Sequence, residues 1–120
     1  MKPQLCEFCC LVGKSLKRVQ NISDERIEFE TRDGEVFALY HEQDCCECVM
    51  VEDICGDLDD LVGSPILLAE ETINEGSDVP YGTHTWTFYK LRTIKGSVDI
   101  RWYGESNGYY SESVDFAKIA

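Results

Sequence analysis

From Leu16 to Ile22 and again from Arg26 to Thr31 the chain alternates apolar and polar side chains, with Ile27 and Phe29 on one face and Glu28 and Glu30 on the other. A period of two is that of a strand with one buried face. Asp33-Gly34 then supplies a turn, because Gly accepts the positive φ that a tight hairpin requires, and Glu35 to His41 returns as a strand rich in Val, Phe, Leu and Tyr. The pattern recurs later. Trp86 and Phe88 alternate with threonines over Thr85 to Thr93, Lys95-Gly96 turns the chain, and Val98, Ile100 and Trp102 alternate with Asp99, Arg101 and Tyr103. Asn107-Gly108 marks one more turn and Tyr109 to Phe116 a last strand.

Between these blocks the period changes. In Val51 to Val62, Ile54, Leu58 and Val62 recur every four residues, the spacing of one helical face, and Gly56 divides the segment into two short pieces. Asp57 fits an N-cap, with Asp59 and Asp60 near the positive end of the helix dipole; Gly63 closes the segment and Pro65 forbids its continuation. Capping accounts for these aspartates better than calcium does, since the EF-hand spacing is absent. Pro65 to Ile73 reads as a strand, Asn74 to Thr83 as a long loop, and Glu42 to Met50 as a polar, cysteine-rich loop. The expected fold is α+β: a single domain over residues 1–120, with an antiparallel sheet of two hairpin units, a short helical segment between them, and residues 1–10 as a cysteine-rich extension.

The chain also echoes itself. Leu11-Val12-Gly13 recurs as Leu61-Val62-Gly63, and Thr31, Gly34, Val36, Ala38 and Tyr40 shifted by a constant 62 positions fall on Thr93, Gly96, Val98, Ile100 and Trp102. Duplication is one explanation; the general likeness of any two hairpins is the other. If the halves are copies, the Cys-rich loop and the Asn-Gly-Tyr-Tyr loop are equivalent.

Composition narrows the function classes. Hydrophobic residues make up 43% and charged residues 28%, which is globular composition. No apolar run approaches the ~20 residues that span a bilayer, and the start lacks the apolar core of a signal peptide, so a cytoplasmic protein without membrane contact is expected. The net charge of -12, from 23 acidic and 11 basic residues, repels phosphates and weighs against direct nucleic-acid binding. It fits a hydrated surface or, less well given how scattered the acids are, a mimic of DNA. Seven cysteines is an odd count with no secretory signal, so most are expected as reduced thiols.

Three constellations could carry chemistry. Cys6, Cys9 and Cys10 with His41, Cys45, Cys46 and Cys48 offer soft ligands enough for zinc, but adjacent cysteines seldom both bind one ion, and small apolar packing is the competing account. No metal or cofactor is expected. A thiolate at Cys45 or Cys46 with His41 as base is conceivable, yet no oxyanion motif, G-x-S-x-G, Walker loop or H-E-x-x-H accompanies it, so no catalysis is expected. The third constellation, Arg101-Trp102-Tyr103-Gly104-Glu105-Ser106-Asn107-Gly108-Tyr109-Tyr110-Ser111, brings together a guanidinium to fork onto phosphate, rings to stack on a base, and an amide to read its edge. The competing account is that Trp102 and Tyr110 are core and Asn107-Gly108 only a turn.

At this stretch, with Tyr40-His41-Glu42-Gln43-Asp44-Cys45-Cys46-Glu47, Val51-Glu52-Asp53-Ile54 and Leu61-Val62-Gly63, the chain resembles a family of small proteins common in bacteriophages and prophages, marked by an Asp-Cys-Cys-Glu loop and a Ser-Asn-Gly-Tyr-Tyr loop. The resemblance runs from about Leu11 to Phe116 and leaves Cys6 to Cys10 outside. More loosely, the chain is similar to phage sponges that sequester the cyclic ADP-ribose signals of Thoeris immunity. That similarity implies a non-catalytic anti-defence protein in the host cytoplasm, a homodimer or larger homo-oligomer that binds a nucleotide-like ligand. The chemistry and the motif positions together select Arg101, Tyr103, Asn107, Tyr109 and Tyr110, completed by His41 and Asp44, as ligand-binding residues. The alternatives are an acidic protein-binding inhibitor of a host defence complex, of the anti-CRISPR kind, and a metal-stabilised structural protein.

Overall fold

The computed structural model describes residues 3–43, 46–76, 82–108 and 110–120. Nine strands form two antiparallel sheets: β1 (Gln4–Leu5), β2 (Leu16–Ile22), β3 (Arg26–Thr31), β4 (Val36–Tyr40), β5 (Cys48–Cys55), β6 (Leu68–Gly76), β7 (Thr83–Thr93), β8 (Gly96–Ser106) and β9 (Asp115–Lys118). The first sheet has the order β1-β9-β4-β3-β2 and the second β5-β8-β7-β6. Each sheet is a meander of three consecutive strands, β2-β3-β4 or β6-β7-β8, extended by the strand that follows the other meander. β5 leaves the first half to pair with β8, and β9 leaves the second half to pair with β4.

Helical structure among the described residues is confined to two 3-10 turns, Phe8–Leu11 and Leu58–Leu61. The helix expected over Val51 to Val62 is instead strand β5 followed by the second 3-10 turn. The period-four spacing of Ile54, Leu58 and Val62 is outweighed by a stronger alternation upstream, where buried Val49 and Val51 interleave with exposed Cys48 and Met50. Gly56 ends the strand at φ +107°, and a Cβ there would lie 2.5 Å from the Ser97 carbonyl oxygen, so only glycine passes. Asp57 does cap the short turn, accepting from the Asp59 amide at 3.0 Å. Two other boundaries differ from expectation: β6 runs on through Gly76, and the last strand begins only at Asp115, leaving 110–114 as a non-strand crossover.

The core lies between the sheets. Leu16, Ile27, Phe29 and Leu39 from one face Tyr89, Leu91, Val98, Ile100 and Trp102 from the other, all fully buried. Each such aliphatic side chain contributes roughly 1.5–3 kcal/mol by leaving water. The cysteine-rich start is built into this core rather than appended to it: β1 pairs with β9, and the Phe8 ring sits 4.7 Å from Tyr89 and 5.2 Å from Phe116. The Tyr89 hydroxyl donates to Glu71 at 2.7 Å, and burial pushes its ionisation far upward.

The sequence echo has a counterpart at the crossing point of the two halves. The Gly13 amide donates to the Ile66 carbonyl at 2.8 Å, and the Gly63 amide to the Leu16 carbonyl at 2.9 Å. Both glycines have φ near +90°, and Leu11 and Leu61 ahead of them are both fully buried. Thr31 and Thr93 are likewise both buried at a strand end, each accepting from a turn amide, that of Glu35 or Lys95.

Candidate functional site

The residues selected from sequence separate onto different surfaces. Arg101 and Tyr103 lie on the outward face of β8, opposite in phase to buried Ile100 and Trp102. Arg101 is not an open cation: its Nε is 2.7 Å from a Glu52 carboxylate oxygen, and Nη2 is 3.9 Å from Asp53. Tyr103 sits between Met50 and Trp86 in the register, its ring 5.2 Å from Trp86 and its hydroxyl donating to Glu105 at 2.9 Å. Asn107 is exposed just beyond β8. Tyr110 turns toward the opposite, inward side of the sheet, where it lines a cleft. Asp44 and Tyr109 lie outside the described residues.

That cleft, of about 550 Å3, opens between the inward faces of β6 and β7 and the 110–113 segment. Its walls include Ile73, Glu75, Thr85, Thr87, Tyr110 and Glu112. Glu112 organises it. Its carboxylate accepts from the hydroxyls of Thr83, Thr85 (2.8 Å) and Ser106 (2.5 Å), which ties the crossover segment to β7 and β8. Burial alone would raise the Glu112 carboxyl; the three hydroxyl donors and nearby His84 outweigh it and hold the group below its ordinary value, so it is an ionised acceptor. Gly104 makes this approach possible, since a Cβ there would lie 2.9 Å from the Glu112 carbonyl oxygen. Sequence reasoning missed Glu112. The available signal was the run of threonines at every second position, 83, 85 and 87, on the inward face of a strand: a row of hydroxyls that needs an acceptor.

His41 serves a neighbouring junction. Its Nδ1 is 2.7 Å from the Ser113 carbonyl and its Nε2 is 2.9 Å from Glu47, with both side chains almost wholly buried. The Gln43 amide donates to the Glu47 carbonyl at 2.5 Å and to its carboxylate at 3.1 Å. The ring therefore joins the β4–β5 crossover to the β8–β9 crossover, and a smaller cavity of about 420 Å3 beside it shares Ser111 and Ser113 with the main cleft. Burial raises the Asp115 carboxyl at its edge, against the pull of His41 and with a push from Glu42.

Residues 10–116 match a protein family described as a domain of unknown function, DUF7448. The chain belongs to this family. No curated protein and no solved structure matches it. The DUF7448 span begins at Cys10 and ends at Phe116, so it takes in both crossovers, His41, Glu47 and Glu112, and omits β1.

The cysteines of this DUF7448 chain divide by state. Cys46 is disulfide-bonded, an exception to the reduced state expected of most of the cysteines, while Cys6, Cys9, Cys10, Cys48 and Cys55 are free. Burial, with Cys6 beside it, pushes the Cys10 thiol up to about 11, so it is an unreactive packing thiol rather than a nucleophile. Among the described residues no group of three or more His, Cys, Asp or Glu is placed to hold a metal ion. The chemistry the cleft offers is hydrogen bonding: an ionised carboxylate, a bank of hydroxyls, one phenol ring and one exposed aliphatic side chain.

Proposed function

We propose that the chain is a non-catalytic binding protein that sequesters a nucleotide-derived immune signal of the cyclic ADP-ribose type, as a phage anti-defence factor in the host cytoplasm. The observation that carries this reading is Glu112 at the base of an open cleft, ionised and held by three hydroxyls. Carboxylates and hydroxyls recognise the vicinal hydroxyls of a ribose, since each carboxylate oxygen accepts from two donors. Among the described residues Oε1 of Glu112 has one donor and so keeps a direction open. Tyr110 and Ile73 supply the flat and apolar surface for a base. A depressed carboxyl suits a fixed acceptor and not an acid catalyst, which agrees with storage rather than turnover. In this reading the two hairpin units are copies of one ancestral unit, and the protein assembles as a homodimer or larger homo-oligomer.

A second reading has its own support. On the outward face of the second sheet Trp86, Tyr103 and His84 cluster, with ring centroids 4.6–6.2 Å apart, beside part-exposed Phe88 and Met50. An aromatic centre with a charged rim is how protein-binding surfaces are built, which fits an inhibitor of a host defence complex. Calorimetry against cyclic ADP-ribose isomers, cyclic dinucleotides and free ribose separates the two. The sponge reading expects binding that Thr85→Val weakens and Arg101→Ala leaves unchanged. Equal binding by Thr85→Val with loss in Arg101→Ala would move the site to the outward face. Absence of binding to every nucleotide, with capture of a host protein that Trp86→Ala abolishes, would replace the sponge with the inhibitor.

A further inference from the structure

We propose that the free edge of β6 takes up an extended, lysine-rich segment of a partner protein as an added antiparallel strand. It shares Ile73 and Glu75 with the cleft wall, but its test needs no cleft ligand and stands or falls without one. β6 is the last strand of its sheet and runs for nine residues, pairing with β7 along one side only. Among the described residues no backbone hydrogen bond reaches the other side of Leu68–Gly76. An edge of this length presents alternate N–H and C=O groups as a template for a further strand. Residues 70–75 are exposed on both faces.

The side chains along this edge select the occupant. Glu71 and Glu75 lie on one face with Ile73 between them, 52% exposed, and Glu70 lies on the other face with Thr72 and Asn74. No Lys or Arg occurs from Leu68 to Gly76. Glu70 has Lys90 opposite it in β7, whereas Glu71 and Glu75 stand opposite Tyr89 and Thr85 and lack a facing cation there. The edge of the other sheet differs. On β2 the cation Arg18 is already matched by Glu28 and Glu30 of the neighbouring strand.

A second copy of the chain is the wrong partner on charge. Two-fold antiparallel self-pairing centred on Ile73 sets Glu71 against Glu75 twice, and like charges directly opposite destabilise a strand pair. The net charge of -12 on each copy adds repulsion at longer range. A basic strand is drawn in by the same field. Read antiparallel to β6 from Glu75 back to Glu70, the complementary sequence is Lys-Thr-Val-Thr-Lys-Lys, with lysines opposite the three glutamates and valine opposite Ile73.

The test uses a fluorescein-labelled peptide of that sequence against the full chain, read by anisotropy and by amide hydrogen exchange. Saturable binding that weakens as salt rises, with slowed exchange across 70–76, is expected. The same peptide N-methylated at every second amide keeps its charge but cannot complete the ladder, and it should lose most of its affinity. Glu75→Lys should weaken the lysine peptide severalfold and improve binding of Glu-Thr-Val-Thr-Glu-Glu. Equal binding by the N-methylated peptide would reduce the effect to charge alone and overturn the proposal. So would absence of binding at millimolar peptide, or peptide-free protection of 70–76 that grows with protein concentration, which would assign the edge to a second copy.

Discussion

Replacing Glu112 by alanine removes one acceptor from three hydroxyls at once, and the structure says how unequal the three losses are. Thr85 is buried, so of the three hydroxyls it loses its partner with the least access to water. Thr83 and Ser106 are partly exposed and can turn to solvent. A hydrogen bond to a charged group is worth about 1.5–3 kcal/mol net; counting Thr85 in full and the other two at a fraction gives a loss of about 2–4 kcal/mol. Urea titration followed through the fluorescence of Trp86 and Trp102 measures it. Glu112→Gln keeps the shape and removes the charge, which isolates the pH dependence. The folded carboxyl lies below the ordinary 4.5, so its contribution is complete above 4.5 and fades as pH falls through the depressed value. The stability gap between wild type and Glu112→Gln should therefore be constant from pH 7 to about 5 and close below 4.5. A loss under about 0.5 kcal/mol for Glu112→Ala, or a gap that does not narrow in acid, would refute the account of this carboxylate.

Ile100→Ala empties a fully buried site at the centre of the second sheet and should cost about 2–5 kcal/mol in denaturant; under about 1 kcal/mol would mean the strand's faces are reversed. Gly56→Ala combines a positive φ with a clash on the Ser97 carbonyl, and should lower the melting temperature measurably by differential scanning fluorimetry while Gly108→Ala, with open space around it, does so less. Arg101→Ala should change stability by less than about 1 kcal/mol, because its pairs with Glu52 and Asp53 are solvent-screened. In thiol titration of the unfolded protein the count should rise on reduction, since Cys46 is bonded.

What the sequence made legible is the local period. Ile27 and Phe29, or Val98, Ile100 and Trp102, announce their buried faces through strict alternation, and the structure keeps every one of them. Val51 to Val62 failed because two periods overlapped there, and the deciding fact, that β8 waits beside Val49 and Val51, is a long-range one. The site was harder to read for the same reason. Arg101 looked like a phosphate anchor because nothing local shows that Glu52 and Asp53 arrive next to it from another strand. Glu112 looked like an ordinary acid of the last expected strand because its three donors lie 6, 27 and 29 residues away. Tyr110 lies on a cavity wall, whereas Tyr103, seven residues earlier, faces the other side of its sheet, a separation that local alternation does not announce.

The exchange of β5 and β9 between the sheets bears on how the molecule comes to exist. On emerging from the ribosome, the first meander cannot receive its fourth strand until residues 115–118 have been made, after the whole of the second meander. Until then β4 has an uncovered side, and so does β5, which must wait for β8. Assembly is consequently a late, collective event dominated by distant pairings, the class of topology that folds slowly. Cleaving the chain between Gly63 and Pro65 should yield two pieces that each stay unstructured alone and regain the native state only when mixed, each lending the other its final strand. Mutations that weaken β9 should thus act on yield in the cell more than on the finished protein's resistance to urea.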